Sequence, residues 1–410
     1  MPHWVIEVLS WWLGAGALLT IVIWAYVYML LKRSTRVVPT LVRGRALAEA
    51  EPPRGKVCVV VPAHNEARVI GGLITSLRAS TYPELRVVLA LDRCTDDTAA
   101  IARAAIGGDA RFEVIEIATC PPDWAGKVHA VHSGVTRSQG ARDAEFLLFA
   151  DADTMFEPEC IGASLALMRE RKLELLSLLS TLTHTTWFER IVQTAAAFEL
   201  TRQYPLTRAN SIDDRRAFAN GQYMLFRREA YDAIGGHAAV KGALLEDLAL
   251  ARTMEAARRR AGLFLADGLL HCRMYADWPQ FRRGWKRIYT EAANRSPRRL
   301  SVNAWRVRAL GTLLPLWTLL CGVGGALLVG RDPRVGATLL LLWLVATIVW
   351  LAALLRVAAI AHAPPWTAPL HAVGAWMTGT LLSEAAHDLR TRKPTSWGGR
   401  DYDLTAGSSK

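Results

Sequence analysis

Three long apolar runs constrain this chain more than any other feature. Trp4 to Leu31 carries a single charge, Glu7, and at 1.5 Å per residue it exceeds a hydrocarbon core of ~30 Å. Ala309 to Gly330 has no charged residue and Val335 to Ile360 has only Arg356; Arg331-Asp332-Pro333-Arg334 separates them, a link the size of a turn. The first run is expected to be a spanning helix and the other two a helical hairpin. A fourth run, Pro369 to Leu382, is short, follows Pro364-Pro365 and precedes Glu384 and His387. It fits an interfacial or re-entrant segment as well as a span. Met1-Pro2-His3-Trp4 lacks the basic start of a secretory signal, and the run leaves through Lys32, Arg33 and Arg36. Retention as an anchor is expected, with the N-terminus outside and the following domain in the cytoplasm.

Basic residues outnumber acidic ones 49 to 37, a formal charge of +12. Arg282 to Arg308 holds nine Lys or Arg residues against one acid, Glu291, directly before the hairpin. Such residues are attracted to anionic lipid at ~1 kcal/mol each. No recognition motif accompanies the charge, so nucleic acid is not an expected partner. Six cysteines stand without C-x-x-C pairing, which predicts reduced thiols and excludes a disulfide framework or a zinc knuckle.

Between the apolar segments, short runs at Val57–Val61, Leu85–Leu91, Phe112–Ile117 and Phe146–Ala150 alternate with helical stretches such as Ala67–Ala79 and Thr98–Ala105. Continuous apolarity suits parallel strands buried on both faces. The prediction is an α/β, doubly wound, mostly parallel sheet with N-terminal and C-terminal transmembrane helices. The expected order is an anchor over 1–32, a cytoplasmic linker over 33–55, a catalytic domain over 56–275 and a basic amphipathic interfacial helix over 276–308. The hairpin with the fourth apolar segment then covers 309–388, and a cytoplasmic tail covers 389–410.

In such sheets ligands collect at the carboxyl ends of strands. The first strand ends at Pro62-Ala63-His64-Asn65-Glu66, the second at Asp92 to Thr98, and the fourth at Asp151-Ala152-Asp153. Converging acids repel one another unless a cation or a hydrogen-bonding ligand sits among them. Asp151 and Asp153 stand two residues apart on an extended segment and can face one ligand. Their hard oxygens suit Mg²⁺ or Mn²⁺, which bridges a diphosphate.

Val59 to Glu66, the Asp92–Thr98 turn, Gly126-Lys127, Asp151-Ala152-Asp153 and Glu246-Asp247 follow one another in the order seen in family 2 inverting glycosyltransferases of the GT-A fold. The resemblance spans most of 56–290. Gln280-Phe281-Arg282-Arg283-Gly284-Trp285 resembles the family's Q-x-x-R-W element, with Gly284 as an extra residue. Together with the hairpin and the closing Ser396 to Tyr402, the chain looks most like the membrane-bound lipid branch, which includes ceramide glucosyltransferases and hopanoid- and carotenoid-associated enzymes.

That resemblance implies transfer of one sugar, glucose, from a UDP-sugar to a lipid hydroxyl. It carries nucleotide binding onto Ala63, Glu66, Asp92, Lys127 and Asp151, metal binding onto Asp153 and His271, and the general base onto Asp247. Glu246, Gln280, Arg283 and Trp285 would serve the acceptor and diphosphate, with Gly221 on the acceptor side and Arg400 in a tail motif. Plainer uses stay open beside these. Asp96 suits a helix cap, Glu246-Asp247 suits the first turn of a helix over 248–260, and His271 suits a structural histidine. The rival functions are a processive polysaccharide synthase, which needs more membrane walls than these segments supply, and a noncatalytic scaffold, which has no use for clustered carboxylates.

Overall fold

The computed structural model describes residues 3–211, 216–393, 395–397 and 400–402. The four expected runs form β1 (Val57–Ala63), β2 (Leu85–Asp92), β3 (Phe112–Ile117) and β4 (Phe146–Phe149). They lie in the spatial order β3-β2-β1-β4 and are mutually parallel. The burial of β1, β2 and β4 follows from helices on both faces, whereas the edge strand β3 exposes Glu113 and Glu116. Val57, Val59 and Val61 pack with the helices Ile70–Arg78 and Cys160–Glu170. Cys58 and Val60 pack with the helix Gly126–Arg137 on the other face.

Beyond β4 come β5 (Thr154–Phe156), β6 (Leu175–Leu179), β7 (Thr181–Leu182), β8 (Met224–Arg227), β9 (Ala261–Leu265) and β10 (Leu270–Cys272). Among the described residues the main sheet has seven strands in the order β3-β2-β1-β4-β8-β6-β9. β8 runs antiparallel to both of its neighbours, and β9 returns parallel to β6. A smaller sheet, β5-β10-β7, closes over the carboxyl edge. The strand order reverses between β1 and β4, so the loops after β1, β2 and β4 open onto one crevice.

Residues expected as a linker are structured. The N-terminal helix runs through His3–Val37, and a second helix, Leu41–Ala50, lies on Cys160–Glu170. Gly44 permits the contact, since a Cβ there would sit 2.2 Å from the Ala163 carbonyl oxygen. Segment 33–55 is therefore a docked strut, because Leu41 and Gly44 bury against the catalytic core.

Three helical units, Trp4–Ala50, Pro297–Leu328 and Pro333–Ile360, are long and apolar enough to cross a membrane. The second begins inside the basic segment and continues through a π turn at Ala309–Leu313 into Leu314–Leu328. The fourth apolar run forms the helix His371–Arg390. Its small residues fit backbone contacts: a Cβ on Gly374 would lie 2.0 Å from the Ile191 carbonyl oxygen, and one on Gly379 3.0 Å from that of Ala304. The last described strands, β11 (Thr395–Trp397) and β12 (Arg400–Tyr402), pair antiparallel.

Candidate functional site

β2 delivers Asp92 to the crevice almost fully buried. Its carboxylate accepts from Arg93 Nε at 2.9 Å and Arg93 Nη2 at 2.6 Å. Arg93 reaches back by adopting φ of 49°. Gly126 leaves room for this pair, for a Cβ there would lie 2.8 Å from Arg93 Nη2. Asp96 takes the structural role: it accepts from the Thr98 backbone N–H at 3.1 Å and from that of Ala67 at 3.3 Å. That anchoring holds the loop after β1 and delays the following helix to Ile70. Ala63 ends β1 buried, its carbonyl accepting from the Cys94 thiol.

The centre of the crevice is Lys127, at the start of the helix Gly126–Arg137. Its Nζ lies 2.6 Å from Asp151 Oδ1 and 2.6 Å from Glu246 Oε1. Burial alone would depress its pKa; the carboxylates of Asp151, Glu246 and Asp247 outweigh burial and hold the ammonium above its ordinary value. The same pairing keeps Glu246 below the usual carboxylate range despite its burial. Asp151 is raised, first by burial and then by Glu246, against the pull of Lys127.

Glu246 and Asp247 are the first two residues of the helix Glu246–Ala256. The turn therefore serves two purposes, since the same acids that favour a helix N-terminus also face Lys127. Asp247 Oδ2 accepts from the Gly221 N–H at 2.8 Å and Oδ1 from that of Leu248 at 2.7 Å. Burial and then the Glu246 charge push Asp247 up to about 6, against Lys127 and these two N–H groups. Gly221 fits where side chains converge: a Cβ would lie 3.0 Å from Lys127 Nζ, 3.2 Å from Glu246 Oε1 and 3.3 Å from Asp247 Oδ2.

Across the crevice the helix Trp278–Ala292 distributes its motif residues differently. Asp277 caps it by accepting from the Gln280 N–H at 2.8 Å, and Gln280 Oε1 accepts from the Ala276 N–H at 3.2 Å. Gln280 thus spends its side-chain oxygen on the turn that leads into the helix, in a variant of the capping box. Trp285 is 2 % exposed, packed with Phe281 and Tyr289 among the helices of the C-terminal half. It is core, not an acceptor wall. Arg283 is exposed. One turn on, the Arg287 charge partly opposes the burial that raises Asp151 and Tyr275. Gly284 admits Tyr275, whose hydroxyl oxygen would lie 2.0 Å from a Cβ at that position.

The sequence profile of the family described as "Glycosyltransferase like family 2" matches residues 52–269, more than half of the chain, and takes in every acid of this cluster. The chain belongs to that family. It is a glycosyltransferase. A mannosyltransferase from Pyrobaculum calidifontis, solved with GDP-Man and Mn²⁺, is similar to this glycosyltransferase at 16% identity and a TM-score of 0.45, covering 82% of this chain and 98% of its own. Residues 1–349 of S. aureus TarS with UDP-GlcNAc match at 14% identity and a TM-score of 0.39, over 87% of this chain and 98% of that one. Glucosyl-3-phosphoglycerate synthase from Mycobacterium tuberculosis, solved with phosphoglyceric acid, matches at 16% identity and a TM-score of 0.38, over 63% and 84%. No curated protein sequence matches the glycosyltransferase.

The fit of a divalent cation to this glycosyltransferase turns on Asp153. Its Oδ1 is buried and accepts no hydrogen bond among the described residues. Burial, then the charges of Asp151 and Glu66, push Asp153 up to about 7. Glu66 is also pushed up to about 7, by burial and then by Asp151 and Asp96. Such oxygen donors fit a hard cation that relieves their repulsion. No cluster of three His, Cys, Asp or Glu ligands forms among the described residues, so other ligands would have to come from the diphosphate and water. His271 does not join Asp153. On β10 it pairs with Met155 and its Nε2 lies 3.6 Å from Glu157 Oε1, while the next residue, Cys272, interacts with Asp153. The two-residue period of a strand sends neighbours to opposite faces. The Arg400 side chain lies outside the described residues. Sequence reasoning passed over Arg287, Tyr275 and Cys272; the helical spacing from Arg283 to Arg287 was the available signal for the first.

Proposed function

We propose that this glycosyltransferase moves a single glucose from a UDP donor to a lipid hydroxyl at the cytoplasmic membrane face, with inversion at the anomeric carbon. The observation that carries the reading is the double pairing of Lys127 with Asp151 and Glu246, beside Asp247. One ammonium links an acid after β4 to the acids that open the helix Glu246–Ala256, so donor and acceptor chemistry meet within a few ångströms.

In this reading Ala63, Glu66 and Asp92 hold base and ribose. Lys127 and Arg287 answer the charge of the diphosphate, Arg287 taking the part that the motif suggested for Arg283. Asp153, with Asp151 beside it, would hold Mg²⁺ or Mn²⁺, which when bound supplies charge stabilisation to the departing diphosphate. Asp247 accepts the acceptor hydroxyl proton as the new bond forms. An elevated pKa suits that task, because a base poised near neutrality is both ionised and willing to take a proton. Donor arrival moves Lys127 from carboxylates to phosphate, which frees Glu246 to orient the acceptor.

The three apolar helical units support a multi-pass membrane enzyme. Lys32, Arg33 and Arg36 after the first run favour a cytoplasmic catalytic domain with the N-terminus outside. Lipids extracted from cells with and without the gene, compared by mass spectrometry, test the reading. A lipid heavier by one hexose supports it. A polymeric product would refute single transfer, and a product retaining a nucleotidyl group would refute glycosyl transfer.

A further inference from the structure

A cation within an apolar helix is costly in hydrocarbon unless its charge is answered. Arg356 is the only charged residue between Val335 and Ile360. Its Nη2 donates to Thr35 Oγ1 at 2.6 Å, joining the helix Pro333–Ile360 to the helix His3–Val37. The Thr35 hydroxyl itself donates to the Leu31 carbonyl oxygen at 3.1 Å. Arg356 Nε is buried and meets no acceptor among the described residues.

The helix His3–Val37 adds positive charge beside this contact. Lys32 and Arg36, one helical turn apart, bracket Thr35. Among the described residues none of Lys32, Arg36 and Arg356 pairs with a carboxylate. The helix His3–Val37 has one acid, Glu7, at its far end, and Pro333–Ile360 has none. Glu49 lies in the separate helix Leu41–Ala50, where its carboxylate meets Arg45. Three cations and an unanswered buried N–H therefore share one end of a two-helix seam. Arg356 stands four residues from the end of its helix, about 6 Å along the axis, the depth of headgroups rather than of acyl tails.

We propose that Arg356, held by Thr35 and assisted by Lys32 and Arg36, binds the phosphate of an anionic phospholipid between these two helices. A guanidinium fork matches phosphate oxygens, and the free Nε–H with one Nη–H forms that fork. The bilayer supplies the ligand, and no soluble anion is required. The inference rests on reading both helices as membrane spans.

Alkaline carbonate extraction of expressing membranes comes first: release of the full-length chain would overturn the spanning reading itself. With the chain retained, it is reconstituted in nanodiscs of phosphatidylcholine alone or with one-fifth phosphatidylglycerol, and bound lipid is counted by native mass spectrometry. Wild type should retain one phosphatidylglycerol in preference to phosphatidylcholine by about tenfold. Arg356→Gln should lose that preference and Thr35→Ala part of it, with unchanged melting in phosphatidylcholine discs. If Arg356→Gln fails to fold, Lys32→Gln with Arg36→Gln tests the site at more exposed positions and should weaken retention severalfold. Undiminished retention in the variant tested would overturn the proposal. Inorganic phosphate that displaces the lipid and reproduces its thermal shift would instead assign a soluble anion, and would overturn the commitment to a phospholipid.

Discussion

Asp151 and Glu246 are distant in the chain and meet on one ammonium, whereas Gln280 and Trp285 share one helix and turn to unrelated tasks. The difference lies in how strands and helices present their residues. Parallel strands all end at one edge, so whatever follows β1, β2 and β4 converges there irrespective of sequence distance. A helix turns by about 100° per residue, so a short linear motif is divided among its faces. Here Gln280 braces the helix start, Arg283 faces solvent, Gly284 makes room for Tyr275, Trp285 enters the core, and the charge of Arg287 bears on Asp151.

The largest effect belongs to the acids gathered around Lys127, among them Asp247 at the start of its helix. Asp247→Asn keeps size and hydrogen bonding but removes the basic oxygen, so single-turnover transfer should fall by roughly 10²-fold or more while donor binding survives. Near-normal transfer would reduce Asp247 to a helix-terminal acid. The pH profile gives a second test. Asp247 must be ionised to accept a proton, and its pKa is raised to about 6. Transfer by wild type should therefore climb as pH rises toward about 6 and flatten above it, and Asp247→Asn should lose that acid limb. A wild-type profile flat from pH 5 to 8 would argue against the assignment.

Arg287 and Arg283 separate the helix from its motif. Removing the charge that influences Asp151 should weaken donor use, so Arg287→Gln is expected to lower kcat/KM for the nucleotide sugar by about tenfold, and Arg283→Gln by less than about twofold. The reverse order would restore the motif's own arginine to the diphosphate.

How much was legible follows the same physics. β1 and β4 announced themselves by unbroken apolarity, β2 by a run broken only at Arg86 and β3 by apolar residues alternating around Glu113 and Glu116, and the end residues Ala63, Glu66, Asp92, Asp151 and Asp153 came with β1, β2 and β4. Glu246-Asp247 required the family resemblance, because two acids opening a helix are ordinary. His271 lies against Glu157 and not Asp153 because alternation along β10 depends on a register, with Cys272 opposite Thr154, that apolarity does not encode. Segment 33–55 looked like a linker because its short helix buries little beyond Leu41 and Gly44. Gln280 could have been read correctly: Asp277 three residues before it, with Pro279 between, is a helix-start signal in its own right.

Gly284→Ala probes the close passage of Tyr275. Alanine favours a helix over glycine by ~1 kcal/mol, but the added carbon would lie 2.0 Å from a buried hydroxyl oxygen and must displace the ring. Steric displacement should win, for a net loss of about 1–2 kcal/mol of stability. Denaturant unfolding of the detergent-solubilised chain would measure it, and a gain in stability would show that Tyr275 moves freely.

The smallest effect distinguishes a cap from an acceptor contact. Gln280→Ala removes the side-chain acceptor for the Ala276 N–H but leaves Asp277 capping the helix, so it should cost about 0.5–1 kcal/mol of stability. Asp277→Ala removes the cap itself and should cost about 1 kcal/mol, which makes it the control for a purely structural role. Both variants should keep KM for the lipid and kcat within about twofold of wild type at temperatures where they stay folded. A residue lining the acceptor path would behave otherwise: Gln280→Ala would raise KM for the lipid while Asp277→Ala would not. Parallel losses in both variants assign Gln280 to the helix start, and a divergence confined to lipid KM would return it to the acceptor site.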